Sequence, residues 1–317
     1  MEPRIPLLID TDPGVDDALA VLMAFADPRH EVVGLTVGAG NVGLGHTVAN
    51  ALRLCEVAGR GGVPVYPGCD RPLLHPAPDA AYVHGADGFG DAGLPPAAQA
   101  AQAQHAAQAI IALSHRHAGR LLLATLGPLT NLALALRLDP TLPGRIARLV
   151  VMGGAASAHG NITPAAEFNV YFDPEAAHIV FSAFPRFDLC DWEATLAHGF
   201  LHGDVERWLA APGPVAAFYE AVSRHTRRWS ADARGARWHS ADALAMAMAL
   251  QPEGVVEAAE RPLEVVLGQS PARGATLVDW NRQSGRPDGA RILLRYDQAA
   301  FEQRVRATLA GGWLAGG

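Results

Sequence analysis

The chain has 317 residues, half of them hydrophobic, and a formal net charge of −7 at pH 7. This length suits one large domain or two ordinary ones, with enough apolar residues for a sizeable core. The acidic balance and the lack of a polybasic run argue against nucleic acid and anionic lipid as partners.

Three widely spaced cysteines, Cys55, Cys69 and Cys190, form neither a CxxC motif nor a Cys/His metal pattern. An odd number of isolated cysteines is typical of a reduced, intracellular protein. The first residues lack the apolar core of a signal peptide, and the apolar runs are too short for a membrane helix. We therefore expect a cytoplasmic protein with no membrane partner.

Short apolar runs alternate with longer amphipathic stretches in the first half of the chain. The predicted strands are IPLLI (5–9), VVGLTV (32–37), VPVY (63–66), LLLAT (121–125) and IARLVVM (146–152). The predicted helices between them cover 16–26, 45–58, 100–117 and 129–138. Uninterrupted apolar strands indicate burial on both faces, so this alternation predicts a parallel sheet between two layers of helices.

The second half of the chain is less regular. Helical stretches are predicted near 174–182, 203–210 and 215–228, and Pro/Gly clusters at 60–96 and 268–290 predict surface loops. We predict a single α/β domain over residues 1–317. It would have a mostly parallel, doubly wound central sheet and extra helices in the C-terminal half. The helical region at about 195–250 would line the mouth of the active site.

Polar residues follow several of these predicted strands, at the edge of the sheet where α/β proteins bind ligands. The first strand is followed by four aspartates, and later strands by amides and a glutamate: Asp10, Asp12, Asp16, Asp17, Asn41, Asn161, Glu167 and Asn169. We expect one site that gathers these side chains.

The four aspartates lie within eight residues and repel one another unless a cation joins them. Carboxylate oxygens suit a hard divalent ion such as Ca²⁺. Helix capping explains Asp16 and Asp17 at the start of a helix, but it leaves Asp10 and Asp12 unexplained. Phosphate binding at that helix end is disfavoured because the carboxylates would repel the ligand.

The segment DTDPGVDDALA (10–20) resembles the signature of the nucleoside hydrolases, the inosine–uridine-preferring N-ribohydrolase family. The resemblance covers most of the chain and continues through GN (40–41), HGADGFG (84–90), GPLTN (127–131), MGG (152–154), GNITPAAEFNVYFDPEAA (160–177) and DALA (242–245). It implies a Ca²⁺-dependent enzyme that hydrolyses the N-glycosidic bond of ribonucleosides to ribose and free nucleobase. It also implies a homodimer or homotetramer.

The resemblance also implies roles for individual residues. The calcium ligands would be Asp12, Asp17, Asp242 and the backbone carbonyl of Leu126. Asp12 would also be the general base that takes a proton from the attacking water. The ribose would be held by Asp16, Asn41, Asn161, Glu167 and Asn169. Asp10 would be a supporting carboxylate beneath the ligands.

One position departs from the family pattern. Many members place a histidine directly before the C-terminal aspartate as leaving-group acid, whereas this chain has Ala241 before Asp242. His239 is the remaining candidate acid if Ser240 caps the helix; a capping or exposed histidine is the alternative.

The nucleobase end of the site is less well defined by the sequence. His84 is expected to contact the nucleobase, with a loop hydrogen bond as its alternative role. His225 and Trp229 are weaker candidates for the same contact. The preference for purine or pyrimidine stays open.

Three other functions compete with this interpretation. A haloacid-dehalogenase-type phosphatase shares a DxD start but needs a lysine, and the chain contains none. A non-catalytic riboside-binding protein would keep the sugar contacts without needing a base beside water. The third alternative is a hydrolase of an unusual N-riboside.

Overall fold

The secondary structure alternates between strands and helices over the residues that the computed structural model describes, 3–157 and 159–311. The strands are β1 (Ile5–Thr11), β2 (His30–Val37), β3 (Val65–Pro67), β4 (Leu121–Thr125), β5 (Ile146–Met152), β6 (Phe187–Cys190), β7 (Phe200–Leu201), β8 (Arg237–Trp238), β9 (Val255–Arg261), β10 (Leu263–Val265), β11 (Thr276–Val278) and β12 (Ala290–Tyr296). The α-helices are α1 (Val15–Ala26), α2 (Leu44–Val57), α3 (Ala81–His84), α4 (Ala106–Arg116), α5 (Thr130–Leu138), α6 (Phe168–Phe172), α7 (Pro174–Ala183), α8 (Trp192–Ala197), α9 (His202–Leu209), α10 (Pro214–Arg234), α11 (Ala241–Leu250) and α12 (Gln298–Leu309).

The central sheet has eight strands in the order β3-β2-β1-β4-β5-β6-β12-β9. Neighbouring strands run parallel except for β9, which pairs antiparallel with β12. The chain moves from β1 outward to β3 and then crosses to the other side of β1 to form β4. The strand order therefore reverses between β1 and β4, which is where such sheets open a ligand-binding crevice. The predicted α/β class with a mostly parallel sheet is confirmed.

Helices cover both faces of the sheet, so the predicted double winding is also confirmed. One face packs against α1, α2, α10, α11 and α12, and the other against α4, α5 and α7. Each layer buries its own apolar cluster against the sheet, as the uninterrupted apolar strands require.

Helices α1 and α11 lie side by side in the first of these layers. In α1 all residues but Asp16 and Ala26 are buried, and in α11 every residue is buried. Alternating alanines in α11 (ADALAMAMAL) let the two backbones approach closely. This pairing places the first turn of α1 beside the first turn of α11, although the two helices come from opposite ends of the sequence.

Some element boundaries differ from the predictions. Helix α4 begins at Ala106 rather than near residue 100, because His105 caps it by accepting a hydrogen bond from the Ala107 backbone. The segment 60–96 contains β3 and α3 besides its loops, and 268–290 contains β11. No helix in the described part of the chain is both long and apolar enough to cross a bilayer.

A buried ion network ties the end of α1 to α12. The Asp27 side chain is 3% exposed, and its carboxylate lies 3.0 Å from His30 Nδ1 and 2.8 Å from Arg304 Nη1. Burial alone would raise the pKa of Asp27, but the hydrogen bonds from His30 and Arg304 outweigh it and hold the pKa below its ordinary value.

We expect Asp27→Asn to lower the free energy of unfolding at pH 7 by about 2 kcal/mol, because charge-assisted hydrogen bonds are lost from a buried site. A carboxyl group whose pKa is lower in the folded chain stabilises the fold above the unfolded value of ~3.9, and this stabilisation is lost as the pH falls through the folded pKa. The difference between wild type and variant should therefore shrink below about pH 4.

Urea unfolding at pH 7 and at pH 3 measures both effects. Asp70→Asn is the matched control, because the Asp70 carboxylate lies on the surface, where it pairs with Arg71. An equal loss of stability for the two variants would contradict the assignment.

Candidate functional site

A cleft opens at the carboxyl ends of the central strands, over the crevice between β1 and β4. Its walls include ten of the side chains or backbone groups singled out from the sequence: Asp16, Asn41, His84, Leu126, Asn161, Glu167, Asn169, Trp229, His239 and Asp242. Asp10, Asp12 and Asp17 are buried behind this surface. The structure thus brings the carboxyl ends of β1, β2, β4 and β5 together, with Asp242 joining them from α11.

Three carboxylates meet at the floor of the cleft. Asp16 and Asp17 lie in the first turn of α1 and Asp242 in the first turn of α11. One oxygen from each lies within 4.8 Å of the others. Burial and then repulsion by the neighbouring aspartates raise the pKa of Asp242 well above its ordinary value. A divalent cation would remove both penalties, so the donor set fits a hard metal ion.

Asp12 stands beside this group at the end of β1, although it is not one of the three mutually close carboxylates. Its Oδ2 accepts a 2.7 Å hydrogen bond from the Asn41 backbone. Its Oδ1 is buried and has no hydrogen-bond partner within the described residues. A buried carboxylate oxygen without a partner is costly, and the missing partner here would be a cation or a water.

Two glycines fix the space around the Asp12 carboxylate. A Cβ atom at Gly40 or at Gly127 would overlap its oxygens. These glycines come from the loops after β2 and β4, so the loops close tightly on the carboxylate from both sides. The GN (40–41) and GPLTN (127–131) motifs therefore serve to position Asp12.

Asp17 is fully buried and accepts several hydrogen bonds. Its carboxylate accepts bonds from the Thr11 hydroxyl, the Gly14 backbone at 3.0 Å and Asn41 Nδ2 at 3.0 Å. The Asn41 amide nitrogen also lies 3.2 Å from the Asp12 carbonyl oxygen. Asn41 therefore orients the acidic residues, in addition to the ribose contact that the resemblance implies.

The opposite wall is built around Glu167, which caps α6. Its carboxylate accepts hydrogen bonds from the backbones of Gly154, Asn169 and Val170. Burial raises the pKa of Glu167 to about 7 even though these bonds oppose the shift. The carboxyl group is thus held rigidly at the cleft surface. It can accept a hydrogen bond from a hydroxyl group when ionised and donate one when protonated.

Two amides flank Glu167. Asn161 Oδ1 accepts a 2.8 Å hydrogen bond from the Phe168 backbone, which turns its NH₂ group away from that contact. Asn169 Nδ2 donates to the Leu126 carbonyl oxygen at 2.7 Å. Asn169 therefore fixes the orientation of the carbonyl group that the resemblance assigns to the metal.

Asp10 lies beneath the cleft. Burial raises its pKa to about 6, and Asn131 Nδ2 donates to its Oδ1 at 3.0 Å. Asn131 Oδ1 in turn accepts from the Cys69 backbone at 2.8 Å. This chain of bonds links the ends of β1, β3 and α5, which agrees with the supporting role implied for Asp10.

The two histidines stand at the mouth of the cleft. His84 Nδ1 accepts a hydrogen bond from the Val15 backbone at 3.1 Å, and burial lowers the His84 pKa to about 4. Burial also lowers the pKa of His239, whose Nδ1 has no partner among the residues described. His239 follows β8 and precedes α11, with Ser240 at the N-cap position but no capping bond from its side chain.

Aromatic rings cover the rest of the mouth. Trp229 lines the cleft, whereas His225 is exposed and does not. Trp192 after β6, Trp238 in β8 and Tyr82 in α3 also line it.

Sequence reasoning missed several contributors to the site. Thr11 and Asn131 lie inside recognised motifs, but their contacts with aspartates depend on chain segments that only the fold brings together. Trp192 and Arg234 were missed because a tryptophan after a strand end and an arginine late in an amphipathic helix carry no local signal of a binding site. Asp191 caps α8 from a buried position, and Cys190 is buried at the end of β6.

The chain is similar to known nucleoside hydrolases over most of its length. The family model described as inosine-uridine preferring nucleoside hydrolase matches residues 7–303. A protein named uridine nucleosidase 1 from Arabidopsis thaliana is 45% identical over 178 residues, which cover 56% of this chain and 53% of that protein. The match thus spans about half the length of that relative.

Two other comparisons cover nearly the whole chain. Pyrimidine-specific ribonucleoside hydrolase RihA from Klebsiella pneumoniae is 34% identical, with 96% of this chain and 98% of that protein aligned. The solved structure of a plant nucleoside hydrolase, the PpNRh1 enzyme, superposes with a TM-score of 0.92 at 28% identity. That superposition covers 97% of this chain and 99% of the plant chain.

The hydrogen bond from Val15 to His84 Nδ1 predicts a defined tautomer. We expect the neutral Nε2–H form of His84 at pH 7, with titration near pH 4 because burial disfavours the charged ring. A ¹⁵N NMR titration measures both, and the signal that disappears in His84→Gln identifies the ring. Protonation at Nδ1 at neutral pH would contradict the assignment.

Proposed function

We propose that this chain, which belongs to the inosine-uridine preferring nucleoside hydrolase family, hydrolyses the N-glycosidic bond of ribonucleosides in the cleft and releases ribose and the free nucleobase. Family members of this kind are N-glycosyl hydrolases. The observation that carries the proposal is the buried, unpartnered Oδ1 of Asp12 beside three clustered carboxylates.

We further propose Ca²⁺ as the metal ion. Asp12, Asp17, Asp242 and the carbonyl oxygen of Leu126 would hold it, and Asp16 lies close enough to share in the site. All these donors are oxygens, which suits calcium better than zinc. When bound, the ion supplies the positive charge that keeps the carboxylates ionised, and it polarises water and the ribose hydroxyls.

Asp12 acts as the general base. Hydrolysis needs a group that takes a proton from water as the water oxygen approaches the anomeric carbon. Asp12 Oδ1 has the free lone pairs for this, while its Oδ2 is fixed by the Asn41 backbone. The close approach of Gly40 and Gly127 keeps the carboxylate from rotating away.

The remaining polar groups hold the sugar and favour its charged transition state. Breaking a ribosyl bond develops positive charge on the sugar ring. Asp16 and Asn41 would hold the ribose on one side and Asn161, Glu167 and Asn169 on the other, around its 5′ end. Their fixed oxygens favour that charge electrostatically, since their hydrogen bonds within the protein already set their orientation.

We propose a nucleobase preference from the names of two relatives. These names refer to uridine or pyrimidine ribonucleosides, so we propose uridine as the first substrate to test. We also propose a homodimer or homotetramer, as the family resemblance implies, and a cytoplasmic location, which the isolated free cysteines favour.

The activity is tested by incubating the protein with uridine, cytidine, inosine, adenosine and a non-standard N-riboside and measuring released ribose by a reducing-sugar assay. We expect ribose release that a chelator abolishes and that added Ca²⁺ restores, because the acidic cluster repels itself without a cation. Saturable binding with no ribose from any substrate would show a riboside-binding protein instead.

The role of Asp12 is tested by Asp12→Asn. We expect kcat to fall by about three or more orders of magnitude, with KM changed far less, because the variant keeps the shape but cannot accept the proton. Steady-state kinetics with uridine measures the effect.

Asp10→Asn is the matched comparison on the same strand. Asparagine at position 10 can still accept the hydrogen bond from Asn131, so we expect a loss of less than about tenfold. Near-normal turnover in Asp12→Asn, or an equal loss in both variants, would overturn the assignment of the base.

A further inference from the structure

Arg234, the last residue of α10, lies between two tryptophan rings at the mouth of the cleft. Its guanidinium carbon is 4.5 Å from the centre of the Trp192 ring and 4.9 Å from the centre of the Trp229 ring. Trp192 begins α8, and Trp229 belongs to α10, just over one turn before the arginine. Stacking on two aromatic faces holds a planar guanidinium in place without using its N–H groups.

Those N–H groups are left for a ligand. Arg234 lines the cleft, and no hydrogen bond or ion pair to it is found within residues 3–157 and 159–311. A guanidinium has five donors and is always charged at neutral pH. It is the single arginine among the described residues that line the cleft, and the chain has no lysine. Arg234 is therefore a positioned positive charge with open donors.

The departing nucleobase is the other reacting group, and it also needs a hydrogen-bond partner. When the C1′–N bond breaks, the nucleobase takes both bonding electrons, so negative charge builds up on its ring nitrogen and on its exocyclic oxygen. Ala241, which directly precedes Asp242, lines the cleft but has no donor in its side chain. The ring of His239 is wedged against Gly199, where an added Cβ atom would overlap it, and stands 6.5 Å from the Trp192 ring.

We propose that Arg234 is a catalytic residue that hydrogen-bonds the departing nucleobase and stabilises the negative charge developing on it. This inference rests on the proposed function. The water oxygen forms the new bond to C1′, its proton goes to Asp12, and the electron pair of the broken bond goes to the base. The base leaves as an anion bound to the guanidinium and then takes a proton from solvent. The guanidinium itself transfers no proton, because its pKa is too high.

A donor-only group also distinguishes between nucleobases. Arg234 can only donate hydrogen bonds, so it matches bases that present a carbonyl oxygen toward it. An exocyclic amino group at the same place would leave donors facing one another, which is costly in a partly buried site. The arginine should therefore favour uridine over cytidine, which differs from it in having an amino group at position 4.

The test compares Arg234→Ala with wild type on two substrates of different leaving-group quality. Uridine releases a poor leaving group, whereas 4-nitrophenyl ribofuranoside releases a stable anion that departs without stabilisation by the protein. We expect kcat with uridine to fall by about 10²-fold or more, as for the loss of one charge-stabilising donor. The loss with the nitrophenyl riboside should be less than about fivefold. Guanidinium ion added to the variant should restore part of the uridine activity.

Arg228→Ala is the matched control, because Arg228 is exposed on the same helix and does not line the cleft. We expect it to match wild type within about twofold on both substrates. Arg234→Gln is the second variant, which keeps neutral donors and a similar length. If Arg234→Ala does not fold, the same substrate comparison on Arg234→Gln decides the question.

The possible outcomes separate this inference from the proposed function. An equal loss on both substrates, or an unchanged preference for uridine over cytidine, would show that Arg234 only shapes the cleft and would overturn the inference alone. A wild-type protein that releases ribose from neither substrate would overturn the proposed function itself.

Discussion

The repulsion among buried carboxylates is the constraint on which the rest of this structure depends. Asp16, Asp17 and Asp242 are forced together because α1 and α11 are apolar around nearly their whole circumference and pack side by side beneath the sheet edge. Hydrophobic burial of these two helices thus fixes the position of charges that would otherwise separate. A cation is the simplest partner that makes the arrangement stable at neutral pH.

The surrounding residues keep this arrangement in one geometry. Asn41 binds Asp17 through its side chain and Asp12 through its backbone, and Asn169 binds the carbonyl of Leu126 on the opposite side. Asp12, Asp17 and the carbonyl of Leu126 are therefore each oriented by a hydrogen bond from an asparagine. Hydrogen bonds of this kind orient the ligands of metal sites. The same principle extends to Arg234, whose orientation comes from aromatic stacking instead, so that its donors stay available.

Much of the fold could be predicted from the sequence, and the limits have physical causes. Strands β1, β2, β4 and β5 are uninterrupted apolar runs, so their burial between two helical layers followed directly. Helix α11 is buried on all sides and carries no amphipathic period, so periodicity alone gave no signal for it. The pairing of β9 with β12 joins segments whose register depends on contacts made elsewhere in the sheet.

The candidate site shows the same division between motif and fold. The aspartates, Asn41 and Glu167 could be identified because dense polar residues directly after buried strands are typical of a binding site at the sheet edge. The contact of Asn131 with Asp10 and the clamp of Trp192 and Trp229 on Arg234 depend on segments distant in sequence. No local pattern predicts these contacts, although the two tryptophans hold the arginine that we propose to bind the departing nucleobase.

Anomalous diffraction from a crystal grown with ample calcium tests the metal site directly. We expect one ion in the cleft, about 2.4 Å from oxygens of Asp12, Asp17 and Asp242 and from the carbonyl of Leu126. Those aspartates turned away from one another, with no ion between them, would contradict it.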